Sequence, residues 1–424
     1  MVSKMNQLYK HPLIATLHQV KGNARSCLFT EPLWGIPYNL YAPFITLYMY
    51  ALGVKDQQIG LILTIGMVLQ VFTAAMGGIV TDKFGRRKVT FFIDLIAWSI
   101  PTLIWMLAQN FWWFLAAAIF NSLWHITNTS WQCLLVEDTP PQLLVNIYTW
   151  VNIAGLLAVF FAPISTLLVD RYSLVPTVRA LYFLAFVLMT AKFVILYVWS
   201  TETSQGTKRL AETKHQSLMS LLFGYQKVFG KVIRSREMRL ALVISVILNI
   251  TSISITNFFA LYITLNVGIP EKYVALFPIG RAVIMLLFMF ILQPLTNRLH
   301  YRSVFLAGFG IYLASHVFLL LSRPDNQLLV IAYTLLEAVA FALVVPRRDA
   351  LGAVFYDKED RARVMSLIYV IMIAVSSPFG SILGYLSALD RRLPFALNML
   401  LFLILAVVVA TSKVLERQDL QPEG

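Results

Sequence analysis

Two glutamates stand inside stretches too apolar for a charge to be incidental. Glu337 lies in the run LLVIAYTLLEAVAFALVV, and Glu31 opens the run EPLWGIPYNLYAPFITLYMY. A carboxylate at bilayer depth costs about 2.5–3.5 kcal/mol on insertion scales and marks a functional position by default. Its charged form is costly to hold there and its neutral form cheap, so it can load and release a proton. Glu337, followed one turn later by Phe341, is the best candidate for a proton or cation site. Glu31 is shallower and reads either as a second such site or as an interfacial residue.

Uncharged polar residues recur at helical spacing in two further places. Asn121, His125, Asn128 and Gln132 fall at i, i+4, i+7 and i+11, and Ser245, Asn249, Ser252 and Thr256 repeat that spacing. Each set forms one stripe along a helix. In lipid a polar stripe must face protein or water, so it lines a cavity or forms hydrogen bonds between helices. Glu31, Gly35, Tyr38 and Ala42 share a face in a run broken by Pro32, Pro37 and Pro43. Trp34, Trp124 and Trp131 are placed to stack on a ligand or to meet lipid, whereas Trp112, Trp113 and Trp199 fit an interfacial belt. Of the remaining charges, Asp94 is expected to support the basic loop before it and Lys192 to snorkel toward the interface. Arg281 is expected to partner an acid near the outer face, and His316 to be a hydrogen-bonded packing residue.

The elements that must position these groups are transmembrane helices. Of the 424 residues 58% are hydrophobic and 13% charged, against about 25% charged in a soluble domain. Apolar stretches fall at 27–52, 57–81, 89–108, 110–136, 142–169, 178–200, 240–266, 272–297, 303–322, 326–346, 364–389 and 393–413. Each is near the ~20 residues needed to cross the hydrocarbon core, and such segments must be helices that satisfy their own backbone. The alternation of a transmembrane barrel is absent. Leu13, Leu17 and Val20 line one face of a short helix expected to start near Pro12, and no signal-peptide pattern precedes the first span. Cys27 and Cys133 both fall near cytoplasmic helix ends, so no disulfide is expected.

Charge sets the orientation. The net charge is +13, yet it is unevenly spread. With the N-terminus inside, 25 of the 34 Lys and Arg lie in cytoplasmic segments and seven in external loops. That asymmetry places both termini in the cytoplasm, and the basic surplus reads as topology, not as a nucleic-acid surface. The linker 201–239 divides the chain; within it Leu218, Leu222, Tyr225, Phe229 and Val232, interleaved with Lys227, Lys231 and Arg234, suit an amphipathic surface helix.

A 215-residue shift superposes Thr81-Asp82-Lys83-Phe84-Gly85-Arg86-Arg87-Lys88 on Thr296-Asn297-Arg298-Leu299-His300-Tyr301-Arg302-Ser303, and Pro163 on Pro378. One offset at two places points to duplicated halves. The segment from Gly78 to Lys88, GIVTDKFGRRK, resembles the signature loop of the major facilitator superfamily, G-x-L-x-D-[RK]-x-G-[RK]-[RK], with Val80 for the usual leucine. Gly85 permits a tight turn, and Asp82 can dock on the positive end of a neighbouring helix. The resemblance implies that Asp82 holds the halves together, opposite the start of helix 11 near Arg363 to Ser366. It also implies that a loop arginine, Arg86 or Arg87 beside Lys83, pairs with an acid at the end of helix 4, where Glu137 and Asp138 stand. The sequence departs from the family twice: the arginine expected within helix 4 is missing, Asn121 lying near its place, and the antiporter pattern of helix 5 survives only as Ala162-Pro163-Ile164-Ser165-Thr166.

The resemblance implies an all-α membrane protein of twelve transmembrane helices in two six-helix halves related by an internal repeat. Its parts would be a cytoplasmic tail 1–26, bundles 27–200 and 240–413, the linker 201–239 and a tail 414–424. Helices 1, 4, 7 and 10 would line the cavity. No enzyme, phosphate-loop or metal pattern is present, and no cofactor is expected. The expected function is alternating-access transport in the cell membrane by a monomer, with a small-molecule substrate and protons as coupling ion. Efflux of an amphipathic compound leads. Uptake of a polar solute, lipid flipping, or a non-transporting sensor on the same scaffold are the alternatives, while a channel lacks its filter pattern.

Overall fold

The computed structural model describes the chain at 12–214, 235–288, 299–354 and 361–416. Side chains are described over those ranges except at 12–15, 141–142, 145, 349–366 and 416. The amphipathic helix expected at 218–232 lies outside the described residues. Every regular element described is helical, and nine helices among the described residues are long and apolar enough to cross a membrane.

The short helix expected at Pro12 is α1 (Pro12–Gln19). The first apolar run is not one helix but α2 (Gly22–Thr30), α3 (Pro32–Tyr41), a 3-10 turn at Ala42–Phe44 and α4 (Ile45–Ala51). The prolines explain the division: Pro32 takes the first position of α3, where its missing N–H costs nothing, and Pro43 sits in the 3-10 turn. An unbroken α5 (Asp56–Phe84) follows. Then α6 (Arg86–Asp94) runs through a π-turn at Leu95–Ser99 into α7 (Ile100–Leu107).

The fourth run divides into α8 (Phe111–Asn121) and α9 (Trp124–Val136). No proline causes this break. The Ser122 hydroxyl donates to the Ile119 carbonyl at 2.6 Å, and the Ser122 carbonyl accepts from Thr73 Oγ1 at 2.7 Å. Side-chain bonds of this kind compete with the helical ladder.

The fifth run forms α10 (Pro141–Val159) and α11 (Ala162–Tyr172), followed by α12 (Leu174–Trp199) and α13 (Ser204–Thr213). The later helices are α14 (Arg236–Leu265), α15 (Leu276–Leu287), α16 (Tyr301–Leu321) and α17 (Leu328–Val354). Last come α18 (Arg361–Ser376), α19 (Phe379–Leu389) and α20 (Leu393–Thr411). The two prolines that the 215-residue shift superposes both stand at interruptions: Pro163 starts α11, and Pro378 separates α18 from α19. A proline clashes with the helical conformation of the residue before it, so each ends a helix locally.

The chain packs as two compact units. The first comprises Met1–Ala42, Phe72–Ser165 and Pro176–Phe223; the second comprises Pro43–Val71, Thr166–Val175 and Gly224–Gly424. In the first, α6 packs on α9 and α3 on α10, around Cys27, Leu134, Leu135, Ile147 and Leu196. In the second, α16 lies between α17 and α20, and Phe305, Phe309, Phe402 and Leu405 are fully buried. Gly308 admits α17 so closely that a Cβ there would stand 2.4 Å from Val344 Cγ2. The second unit also takes in the first half of α5, which packs on α19 through glycines.

Candidate functional site

At the end of α5 the chain turns at Gly85, whose φ of +88° is a conformation that residues with a Cβ rarely adopt. The turn points the first N–H groups of α6 at one side chain. Glu202 accepts from the backbone N–H of Arg86 at 2.9 Å and of Arg87 at 3.1 Å, satisfying two donors that a helix start leaves open and facing the positive end of its dipole. Arg86, 3% exposed, lies 2.9 Å from Asp82 and 3.0 Å from Glu137, and its Nε donates to Glu137 as well. Glu137 also accepts from the Thr203 hydroxyl, and Asp138 accepts from the Ser204 N–H at 3.1 Å.

Of the loop residues singled out in the sequence, Asp82, Arg86 and Glu137 thus form one network. Arg87 leaves it, donating to the Tyr197 carbonyl at 2.9 Å and covering the Tyr197 ring. Lys83 is half-buried. Gly78 faces open space, so no close approach requires a glycine there. The helix-11 side chains 363–366, expected opposite Asp82, lie outside the described side chains. Among the described residues Asp82 is engaged by Arg86 and, at 3.9 Å, by Arg209 of α13.

Inside the first unit, Lys192 of α12 does not snorkel. It is 5% exposed, its Nζ lies 2.8 Å from Glu31 Oε2, and the rings of Trp34 and Trp131 flank it at 5.7 Å each. At that burial its ammonium is compensated by a carboxylate and two aromatic faces. Asp94 also departs from expectation. It is 6% exposed, accepts from the Thr127 hydroxyl at 2.6 Å, and lies within electrostatic reach of Lys192 and Glu31; it turns away from the basic loop into the unit.

Tyr38 stacks on Trp34 at 4.8 Å. Glu31 and Ala42 bracket α3 with helical backbone angles, the Gly35 N–H donating to the Glu31 carbonyl at 2.9 Å and the Ala42 N–H to the Tyr38 carbonyl. Glu31, Gly35, Tyr38 and Ala42 thus keep the helical register in which they were expected to share a face.

The two polar stripes fare differently. Across the α8–α9 break the register shifts: Asn121 donates to the Ala97 carbonyl at 2.9 Å, His125 is buried against Trp124, and Asn128 and Gln132 are exposed. One continuous stripe needed an unbroken helix, and Ser122 prevents it. On the unbroken α14, Ser252 and Thr256 are exposed and Ser245 and Asn249 half-buried, while Ile244 and Leu248 beside them are buried.

In the second unit Glu337 is 3% exposed, and Arg281 Nη2 lies 3.1 Å from its Oε1. The Arg281 guanidinium covers the Phe341 ring at 4.4 Å. Arg281 therefore partners a mid-helix acid, not one near an end. The pair is close but not aligned: Glu337 Oε1 and Arg281 Nε carry no hydrogen bond among the described residues. Tyr312 and Tyr333 are within electrostatic reach of both. His316 is packed as expected, its Nδ1 2.9 Å from the Tyr312 carbonyl. A cavity of about 590 Å³ between α15 and α17 is lined by Phe277, Gly280, Ile331, Thr334 and Leu335. Gly280 adjoins Arg281 in sequence, and Thr334 stands one turn before Glu337. Among the described residues no group of three His, Cys, Asp or Glu is placed to hold a metal.

Comparison with known proteins decides the family. The family model described as Major Facilitator Superfamily matches residues 35–280 and again 242–423. The chain belongs to the Major Facilitator Superfamily. It is a multi-pass membrane transporter, and the double match agrees with the repeat read from the 215-residue shift.

Among curated relatives, Multidrug resistance protein MdtG of Yersinia enterocolitica is 26% identical over 176 residues, 40% of this chain. The match spans 41% of that relative's length. Among solved structures, a point mutant of the nucleoside transporter NupG aligns with a TM-score of 0.73 at 13% identity, over 92% of this chain and 99% of that one. A bacterial homolog of the human lysosomal transporter Spinster aligns with a TM-score of 0.70 at 13% identity, over 95% and 98%. At those identities the structures share the fold.

This member of the superfamily lacks the helix-4 arginine, and the buried cation beside Glu31 comes from Lys192 of α12. Sequence reasoning missed that role, because no local spacing links Lys192 to Glu31. It also missed Glu202. A signal was available: Thr203, the residue after it, caps α13 by accepting from the Gly206 N–H at 2.8 Å, and a Thr followed by a helical run marks a helix start.

Proposed function

We propose that this superfamily member is a proton-coupled secondary transporter that exports an amphipathic small molecule by alternating access. Its six-helix halves, 27–200 and 240–413, move as bodies in the cell membrane, with both termini cytoplasmic. The observation that carries this reading is the Arg281–Glu337 pair, a buried carboxylate whose cationic neighbour at 3.1 Å is imperfectly aligned. A proton arriving at Glu337 neutralises it and frees Arg281; departure of the proton restores the pair. A cationic substrate and a proton compete for that carboxylate, and a site that takes either but not both couples their movements, which is what antiport requires.

The apolar cavity between α15 and α17 suits the hydrophobic part of an amphipathic substrate. Export, in place of uptake, is supported by the likeness to a protein named for multidrug resistance. Because Glu31 and Glu337 each have an internal cation, a cationic substrate must displace Lys192 or Arg281 to be bound by either carboxylate. We assign the gating role to the loop network of Asp82, Arg86 and Glu137, with Glu202 as its anchor.

Purified protein in proteoliposomes, loaded with the fluorescent amphipathic cation ethidium and given an imposed pH gradient, tests the reading. Wild type accumulates the dye against its gradient. Glu337→Gln, which removes the titratable proton while nearly keeping the shape, abolishes gradient-driven accumulation and retains downhill exchange. Undiminished accumulation in Glu337→Gln overturns the assignment.

A further inference from the structure

Among the described residues of the first unit, a buried carboxylate, Asp94, and a half-buried one, Glu31, stand around the single buried ammonium of Lys192. Glu31 and Asp94 both lie within reach of Lys192, and Asp94 and Lys192 are 6% and 5% exposed. The groups facing Asp94 from its surroundings are Lys192 of α12, Glu31 and the Cys27 thiol from α2 and its junction with α3, and Thr127 of α9. With all three charges formed the cluster carries one surplus negative charge in an apolar interior, where an uncompensated ion is poorly tolerated.

Arg87, two turns before Asp94 on α6, lines a small void with it, but its guanidinium is committed to the Tyr197 carbonyl and ring. The same void is lined by Ser200, which is 2% exposed and whose hydroxyl has no hydrogen bond among the described residues. Trp131 Nε1, beside Lys192, likewise has no partner.

We propose that Asp94, Glu31 and Lys192 form a second proton-binding site, taking one proton per cluster, with Asp94 as the residue that holds it. Lys192 then serves as a shared counter-ion. With Asp94 protonated it pairs with Glu31 in the 2.8 Å contact; with Asp94 ionised it is divided between two carboxylates. Thr127 steadies the ionised form by donating to Asp94 Oδ1. This inference rests on the proposed proton coupling only for its use in transport; the binding itself stands apart from Glu337.

Infrared difference spectra of the purified protein between mildly alkaline and mildly acidic pH read the proton directly, through the C=O band of a protonated carboxyl. Recorded in a Glu337→Gln background, which takes that carboxyl out of the spectrum, the band is expected while Asp94 is intact and lost when Asp94→Asn is added. Lys192→Met, which leaves two carboxylates without a cation, roughly doubles it. If Asp94→Asn does not fold, Thr127→Val decides. Loss of the hydroxyl that favours the ionised form tightens the hold on the proton about tenfold, so the band appears at higher pH. A band unchanged in Asp94→Asn, or an unmoved onset in Thr127→Val, overturns the site. The outcome is separable from that of ethidium transport: a failed flux assay leaves the band in place, and a missing band leaves Glu337-dependent flux intact.

Discussion

Gly60 of α5 and Gly384 of α19 meet backbone to backbone: a Cβ added to Gly60 would stand 2.8 Å from the Gly384 Cα and 2.5 Å from the Gly380 carbonyl oxygen. Small residues allow such approach between helices in lipid, where close packing and hydrogen bonds replace the hydrophobic effect as the driving force. Polar bonds flank the contact. Thr64 Oγ1 donates to the Ser377 carbonyl at 2.9 Å, and accepts from the Ser381 N–H at 2.8 Å. One turn toward the start of α5, Asp56 accepts from Ser387 at 2.7 Å and from Arg391 at 3.2 Å.

A single methyl group should therefore separate these helices. In Gly60→Ala the new carbon has backbone on two sides and no flexible side chain to displace, so the pair must part. Overpacking of this kind costs about 1–3 kcal/mol. In a background without Cys27 and Cys133, cysteines replacing Thr64 and Ser381, whose oxygens are 2.9 Å apart, should cross-link readily with mild oxidant. Adding Gly60→Ala should reduce the yield about tenfold. Equal yields would mean that the contact tolerates a side chain.

The charged end of the same contact should show strong coupling. Asp56 is 4% exposed, and the Arg391 side chain is 23% exposed. Removing one partner of a buried pair costs about 3–5 kcal/mol, reduced here by the partial exposure of Arg391 to about 1–3 kcal/mol. Asp56→Asn and Arg391→Gln should each lower the thermal unfolding midpoint in detergent, and the double variant should lose less than the two added together. Strict additivity would reduce the pair to an incidental proximity.

Much of this was legible along the chain, and the remainder was hidden for a definite reason. Apolar length announced the membrane helices, the loop from Gly78 to Lys88 announced the superfamily, and the rarity of acids at such depth singled out Glu337. What local spacing could not carry was partnership. Lys192 and Glu31 are 161 residues apart, and nothing within either helix points to the other. Arg281 was expected to have an acidic partner near the outer face, and the partner it has, Glu337, stands on another helix, which no spacing within α15 could point to. The stripe on α9 failed where a serine, not a proline, broke the helix. Gly60, Gly380 and Gly384 passed as ordinary composition, since a glycine contact between helices exists only once both are placed.

Glu202 offers a test of the loop network that leaves the signature residues untouched. Its carboxylate closes two N–H groups at the start of α6, and loss of an N-terminal cap costs about 0.5–2 kcal/mol. Glu202→Ala should speed hydrogen exchange at Arg86 and Arg87 several-fold while leaving exchange in α16 unchanged. Asp82→Asn should act differently, loosening Arg86 and Arg209 and leaving those two amides capped. If both variants expose the same amides equally, the cap and the ion pair are one structural unit.

The Arg281–Glu337 pair yields the sharpest expectation, because the two halves of its role pull apart. Arg281→Gln leaves a carboxylate 3% exposed without its 3.1 Å cation, and Glu337→Gln leaves a guanidinium against Phe341 without its 3.1 Å anion. Each change should lower the thermal midpoint, at a cost of about 1–3 kcal/mol, because the Arg281 side chain is 31% exposed and the cost of a fully buried partner is reduced accordingly. Arg281→Gln should recover part of that loss as the pH falls, because a proton on Glu337 removes the stranded charge; Glu337→Gln has no such group to titrate and should not recover. The double variant removes both charges and should return close to wild-type stability, since replacing a buried pair by neutral groups is often neutral or better. Yet it should fail to accumulate ethidium under a pH gradient, since no carboxyl remains there to carry the proton. A double variant that is stable and still drives accumulation would move coupling to the first unit and leave Arg281–Glu337 a packing element. One that is as unstable as either single change would mean that the pair holds α15 and α17 together through contacts other than charge.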